Sequence, residues 1–112
     1  MFSAEQRVNW FKAIYENEPK VSSTIFEGLT VNFCKQIGAN FILRGIRFVS
    51  DFEYEKSIAD ANRTMDNTIE TVFLTGEPKY TSVASTIVRD IIKNGGNASP
   101  FLPDAVIQSL KK

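Results

Sequence analysis

Residues 41–47, Phe-Ile-Leu-Arg-Gly-Ile-Arg, decide what kind of fold this chain forms. The apolar residues at 41–43 predict a short buried strand, and an arginine, a glycine and a second arginine follow it directly. Ligands of open α/β sheets bind just beyond the carboxyl ends of the strands. A guanidinium in that place offers a planar fork of donors that matches phosphate oxygens in pairs. We therefore expect Arg44 and Arg47 to face one pocket for a phosphorylated ligand.

The alternative for these two arginines is an ordinary position on the surface near the end of a strand. Gly45 lies between them, and a glycine at a strand end often permits close approach of a ligand to the backbone. The local pattern alone leaves both interpretations open.

Helix and strand patterns alternate along the rest of the chain, which predicts an α/β fold with a parallel sheet flanked by helices. Three strands are predicted, at residues 21–26, 41–43 and 70–74. Helices are predicted from Ser3 to about Glu18, across 29–37 with Gly38 as the stop, from Ser50 to about Met65, around 87–92, and from Pro103 onward. The prediction thus has about three strands and four to five helices, and three strands are few for a sheet of this kind.

The composition sets limits on the class of protein. The 112 residues suffice for a single domain, 1–112, with a core of its own. Thirteen basic residues balance thirteen acidic ones, so no net field attracts nucleic acid or an acidic membrane. No apolar run approaches bilayer length, and no signal-peptide pattern opens the chain. One cysteine excludes an internal disulfide, and the expected location is the reducing cytoplasm.

Several other residues carry groups that could take part in chemistry. The chain has no histidine, so Cys34 lacks the usual base of a cysteine nucleophile, and a packed thiol is expected. Asp51 and Glu53 are expected to complement the dipole at the start of a helix. Three-way metal ligation by Asp51, Glu53 and Glu55 is not expected, because residues two apart on a helix do not share a face. Asp51 and Glu55, four apart, can share one.

Three hydroxyl residues lie near the start of the apolar helix around 87–92. Ser82, Ser85 and Thr86 either form an anion site with free backbone amides or act as simple helix caps. From the residues alone we favour capping, although Lys79 and Arg89 flank this point and favour phosphate modestly.

Six segments together closely resemble bacterial phosphopantetheine adenylyltransferases, over essentially the whole chain. These segments are Phe26–Leu29, Leu43–Arg47, Ser50–Glu55, Asn62–Arg63, Glu70–Leu74 and Ser85–Arg89. The resemblance implies a Rossmann-like nucleotidyltransferase fold, incomplete in these residues. It also implies transfer of an adenylyl group from ATP, assisted by Mg²⁺, to 4′-phosphopantetheine. The products are dephospho-CoA and pyrophosphate, in the penultimate step of coenzyme A synthesis.

The same resemblance implies the site residues and the partners. Thr30 and Arg44 fall at positions that bind phosphopantetheine. The ATP-binding positions are Gly45, Ile46, Arg47, Glu55, Tyr80, Thr81, Ser82, Val83, Ala84, Ser85 and Thr86. Arg89 is a candidate phosphate contact, no metal is held by the protein itself, and Ala84 and Phe48 depart from the usual residues of the family. The partners implied are ATP, 4′-phosphopantetheine, dephospho-CoA, CoA and further copies of the chain, since the family forms hexamers.

One part of the family pattern has no counterpart in these residues. The family opens with a strand and a Thr/His-x-Gly-His motif, whose histidine stabilises the transferring phosphate. We therefore expect no catalytic residue in this chain and weak or no activity of the chain alone. We also expect self-association, because the remaining strands keep an unpaired apolar edge. The alternatives are a non-catalytic remnant that binds a nucleotide or CoA, and a fragment that serves only oligomer assembly.

Overall fold

The computed structural model describes residues 1–112 and contains five α-helices, two β-strands and two short 3₁₀ helices. The α-helices are α1 (Ala4–Ile14), α2 (Thr30–Ile37), α3 (Val49–Met65), α4 (Ser85–Lys93) and α5 (Asp104–Leu110). The strands are β1 (Phe41–Ile46) and β2 (Glu70–Thr75), and the 3₁₀ helices are Pro78–Tyr80 and Ser99–Phe101. None of the helices has both the length and the apolarity needed to cross a membrane.

The chain divides into two units, which are described separately. The first unit is Phe26–Ser82, and the second combines Met1–Ile25 with Val83–Lys112. Within the first unit, β1 and β2 pair in parallel, with a register that runs from Phe41 opposite Glu70 to Ile46 opposite Thr75. Parallel neighbours need a crossover connection, and α3 supplies it. The predicted parallel α/β arrangement is confirmed.

The two faces of this sheet differ in what covers them. Side chains alternate along a strand, so Arg44 and its partner Phe73 share a face. Phe52 of α3 meets the Phe73 ring edge-on at 5.8 Å, which shows that α3 packs over this face. The opposite face carries four apolar side chains that are 40% to 67% exposed; we call them the open sheet face: Phe41, Leu43, Val72 and Leu74.

The core of the first unit is small and lies between α2 and the sheet. Val31 and Cys34 of α2 are buried together with Ile69, and Ile42 of β1 packs against them. The thiol of Cys34 is free and buried, as predicted. Gly38 ends α2 in a left-handed conformation with φ of 73°, and its N–H donates to the carbonyl of Cys34. Glycine is favoured there because it has no Cβ to clash.

The second unit joins the first and last helices of the chain. The Ser3 hydroxyl accepts from the N–H of Gln6, and the Gln6 side chain accepts from the N–H of Ser3, so these two residues form a capping box at the predicted helix start. The indole N–H of Trp10 in α1 donates to the hydroxyl of Ser109 in α5 over 2.9 Å. Phe2 packs edge-on against the same indole, with ring centroids 5.0 Å apart.

One predicted strand is absent, and the predicted boundaries of α1 and β1 are wrong. The β-branched stretch at 21–26 forms no strand, because the sheet consists of β1 and β2 alone and neither pairs with it. The first helix ends at Ile14 rather than near Glu18. The strand predicted at 41–43 continues to Ile46, since a parallel ladder extends wherever backbone partners exist, whether or not the side chains are apolar.

Candidate ligand-binding site

An arginine from the sheet and a glutamate from a helix form the centre of the candidate site. Arg44 lies within β1, and Glu55 lies in the second turn of α3. The Nε of Arg44 donates to Oε2 of Glu55 over 2.9 Å, and Nη2 donates to Oε1 over 2.7 Å. Glu55 is only 9% exposed, whereas the Arg44 side chain is 53% exposed. The pair therefore ties α3 to β1 and leaves the guanidinium accessible.

This pairing favours the charged form of both side chains. The hydrogen bonds from Arg44 hold the pKa of Glu55 below its ordinary value, against the opposing effect of burial. The same hydrogen bonds raise the pKa of Arg44. Two parallel charge-assisted hydrogen bonds of this kind are strong and fix the orientation of the guanidinium plane.

A cavity of about 200 Å³ adjoins the pair within the first unit. Its lining combines apolar side chains with hydroxyl and amide groups: Thr30, Ile42, Arg44, Glu55, Ile58, Ala59, Asn62 and Thr71. Whole-ligand pockets commonly measure about 300–1,000 Å³. This cavity accordingly suits part of a ligand rather than a whole one.

The structure brings together three residues that sequence analysis selected, namely Thr30, Arg44 and Glu55. It also adds residues that sequence analysis missed. Ile58, Ala59 and Asn62 follow Glu55 at three, four and seven positions along α3, which is the spacing of one helix face. Extending that face from Glu55 would have found them.

The second arginine has a different environment. Arg47 does not line this cavity, so the expectation that both arginines face one pocket is not met there. Its backbone N–H and its Nε both donate to Oδ2 of Asp51, over 3.0 Å and 3.3 Å. The N–H of Phe48 donates to the same oxygen over 3.3 Å. These bonds, led by the one from the Arg47 backbone, lower the pKa of Asp51.

These contacts define how α3 begins. Phe48 occupies the N-cap position and the Asp51 carboxylate accepts from backbone donors there, so α3 begins at Val49, one residue before the predicted start at Ser50. The predicted role of Asp51 at a helix N-terminus is confirmed. Asp51 and Glu55 each engage a different arginine, and no group of three or more carboxylate, thiol or imidazole side chains able to hold a metal occurs among residues 1–112.

Gly45 and Ile46 lie inside β1, opposite Leu74 and Thr75. A Cβ added at Gly45 would meet no atom within 4 Å. Packing within the chain therefore does not require glycine here, and the backbone at this point is open to close approach from outside.

The remaining candidate residues fall on both sides of the boundary between the units. Tyr80, Thr81 and Ser82 belong to the first unit, where Tyr80 ends a 3₁₀ helix. Val83 to Thr86 and Arg89 belong to the second unit. There α4 begins at Ser85 with Ala84 at the N-cap and no side-chain cap. The preferred interpretation of Ser82, Ser85 and Thr86 as simple caps is therefore wrong, because the cap position falls on a residue without a hydroxyl.

Residues 1–91 match the family described as cytidylyltransferase-like. The matched sequence and the parallel α/β architecture define the class as a nucleotidyltransferase of Rossmann-like fold.

Similarity to individual proteins identifies a narrower family within this class. The chain is 48% identical over 106 residues to the phosphopantetheine adenylyltransferase of Flavobacterium psychrophilum, covering 95% of this chain and 70% of that protein. It is 42% identical to the protein of the same name from Lachnoclostridium phytofermentans, covering 96% and 66%. It is 38% identical to that of Caldanaerobacter subterraneus, covering 98% and 69%. The chain thus belongs to the phosphopantetheine adenylyltransferase family of enzymes, and it spans about two thirds of the length of these relatives.

Proposed function

We propose that this chain contributes to a site that transfers the adenylyl group of ATP to 4′-phosphopantetheine, giving dephospho-CoA and pyrophosphate. The names of its relatives support this activity. The observation that carries it is the half-exposed guanidinium of Arg44 beside an amphipathic cavity. A phosphate followed by a narrow chain of amides and methylenes fits that combination of groups.

The proposed reaction is an in-line displacement at the α-phosphorus of ATP. A phosphate oxygen of 4′-phosphopantetheine attacks the α-phosphorus and forms the new O–P bond. The bond between the α-phosphorus and the oxygen that bridges to the β-phosphate breaks, and pyrophosphate leaves. Alignment and charge neutralisation dominate such a step, and no nucleophilic side chain is needed. In this proposal Arg44 holds the attacking phosphate, while Ile42, Ile58 and Ala59 contact the apolar part of the pantetheine chain.

The ATP-binding residues of this proposal are Gly45, Ile46, Arg47 and residues 80–82 in the first unit, and residues 83–86 in the second. The uncapped start of α4 supports phosphate binding there, because free N–H groups at a helix start favour anions. Magnesium is proposed to arrive with ATP, since the buried carboxylate of this cavity, Glu55, is already engaged by Arg44.

The wider setting is also proposed. The reaction belongs to coenzyme A synthesis, and CoA and dephospho-CoA are further ligands of the same cavity. A cytoplasmic location is supported by a single thiol that is free and buried. Association with further copies of the chain is supported by the open sheet face.

A second candidate is binding of the same ligands without turnover. The Arg44–Glu55 pair beside the cavity supports it, because an oriented guanidinium can bind phosphate whether or not a transfer follows. A role in assembly alone is the third candidate, and the open sheet face is the observation behind it.

One set of measurements separates these candidates. Calorimetry with 4′-phosphopantetheine and with Mg·ATP measures binding to the chain. An assay for dephospho-CoA is then run with and without the part of the Flavobacterium psychrophilum relative that this chain does not cover. Product in either assay supports the transferase, and binding without product supports the second candidate. Stable oligomers that bind neither ligand would contradict both and leave assembly.

A further inference from the structure

We propose that Glu55 is a positioning residue. Its carboxylate holds one edge of the Arg44 guanidinium, so that the other edge receives the phosphate of a ligand in the adjoining cavity. This inference rests on the proposed function for the identity of the ligand. It differs from the role implied by the resemblance, in which Glu55 contacts ATP.

The donor inventory of arginine supports this division. A guanidinium carries five N–H donors, one on Nε and two on each Nη nitrogen. Glu55 takes the Nε donor and one Nη2 donor, which form the side-on edge of the group. The end-on edge, formed by Nη1 and the second Nη2 hydrogen, is a second fork with the geometry that binds two phosphate oxygens.

The elements on which the pair lies make the arrangement rigid. Arg44 belongs to a strand that is hydrogen-bonded along β2, and Glu55 belongs to the 17-residue helix α3. A long, half-exposed arginine otherwise loses side-chain entropy when it binds a ligand. With Glu55 in place, that ordering occurs when the protein folds, and the ligand meets a guanidinium whose plane is already fixed.

The charge of Glu55 acts in the opposite direction, which makes the inference testable. A carboxylate beside Arg44 by itself repels phosphate, so a purely electrostatic role predicts tighter binding once the charge is removed. Positioning predicts weaker binding despite that added positive charge.

The test compares two ligands and three variants by calorimetry. For Glu55→Gln we expect 4′-phosphopantetheine to bind roughly tenfold more weakly, with the affinity for pantetheine unchanged. Glu55→Asp keeps the charge but is too short for the two-point contact, and it should lose about as much. The matched control is Asp60→Asn, which removes an exposed ion pair with Lys56 on the same helix and should change neither affinity. Circular dichroism confirms that each variant is folded.

Dependence on Arg44 is the second part of the test. In an Arg44→Ala background, Glu55→Gln should cause no further loss, because Glu55 acts only through Arg44. A wild-type or tighter affinity for phosphopantetheine in Glu55→Gln overturns the inference. The inference is also overturned if Glu55→Gln weakens phosphopantetheine binding by the same factor in the Arg44→Ala background as in the wild type.

A probe that does not depend on the proposed substrate separates the two proposals. Nuclear magnetic resonance follows the guanidinium signals of Arg44 during titration with inorganic phosphate. We expect them to shift in the wild type and to require a higher phosphate concentration in Glu55→Gln. Equal titrations, or no shift in the wild type, overturn the inference. A further outcome is that the wild type needs less inorganic phosphate than Glu55→Gln to shift the Arg44 signals, while phosphopantetheine binds to neither protein. In that case the proposed function fails and the positioning role stands.

Discussion

At the scale of single residues, the proposed function depends most on the side chain of Arg44. Its guanidinium is accessible, charged and already oriented by Glu55. Replacing Arg44 by alanine should weaken binding of 4′-phosphopantetheine by roughly ten- to a hundredfold. A hydrogen bond to a charged group contributes about 1.5–3 kcal/mol, and about 1.4 kcal/mol corresponds to a factor of ten. Calorimetry measures the change, with Lys56→Ala as a control outside the cavity. An unchanged affinity in Arg44→Ala would remove this residue from the site.

The acidic residues make a separate prediction about pH. Glu55, Asp51 and Asp66 all have a folded-state pKa below the ordinary value, because each accepts hydrogen bonds as a carboxylate. Their contribution to stability is therefore complete above the ordinary carboxylate range near pH 4 and is lost as the pH falls through the lowered values. Urea unfolding between neutral and acidic pH should show this decline. The decline should be shallower in Glu55→Gln, and an identical pH profile for the two proteins would contradict the assignment.

At the scale of elements, the start of α3 is set by one carboxylate. Asp51 accepts from the N–H groups of Arg47 and Phe48, the two residues that immediately precede the helix. Asp51→Ala should lower the free energy of unfolding, because two backbone N–H groups at the helix start lose a charged acceptor. Urea denaturation measures this loss. The matched control is Glu53→Ala, two residues further along α3. Equal stability of Asp51→Ala and the wild type would show that the cap contributes nothing.

Most elements could be predicted from the sequence because their signals are local. The Ser3 capping box, the Gly38 stop and the helix around 87–92 each depend on residues a few positions apart. The predictions that are wrong depend on pairing between residues that are far apart in the sequence. Residues 21–26 have strand-like side chains, but a strand also needs a neighbour, and the sheet provides none. The apolar run at 41–43 gave no sign that β1 continues through Arg44 to Ile46, because that extension depends on β2.

The same distinction applies to the site. The type of residue made Arg44 a candidate for phosphate binding, and the resemblance indicated Thr30 and Glu55. The bidentate contact between Arg44 and Glu55 was not predictable from either, since it requires β1 and α3 to pack at a particular distance. The separate partner of Arg47 was missed for a related reason. With β1 ending at Ile46, Arg47 lies in the turn that leads to Asp51 rather than on the face of the sheet.

At the scale of the whole molecule, the open sheet face predicts self-association. Four apolar side chains of one sheet are exposed together, and such contiguous patches mark interaction surfaces or aggregation sites. Sedimentation velocity should detect oligomers or aggregates of the purified chain, with an unfolding midpoint that rises with protein concentration. Leu43→Lys should reduce association, because it places a charge in the middle of the face. A monomer with a sharp, concentration-independent transition would contradict this prediction.

The contact between Trp10 and Ser109 has an optical consequence. Trp10 is the only tryptophan in the chain, and its indole is fixed by a partner near the carboxyl terminus. Its fluorescence therefore reports whether α1 and α5 remain docked. Thermal melting followed by this emission and, in parallel, by backbone circular dichroism would show whether the chain melts in one event or two.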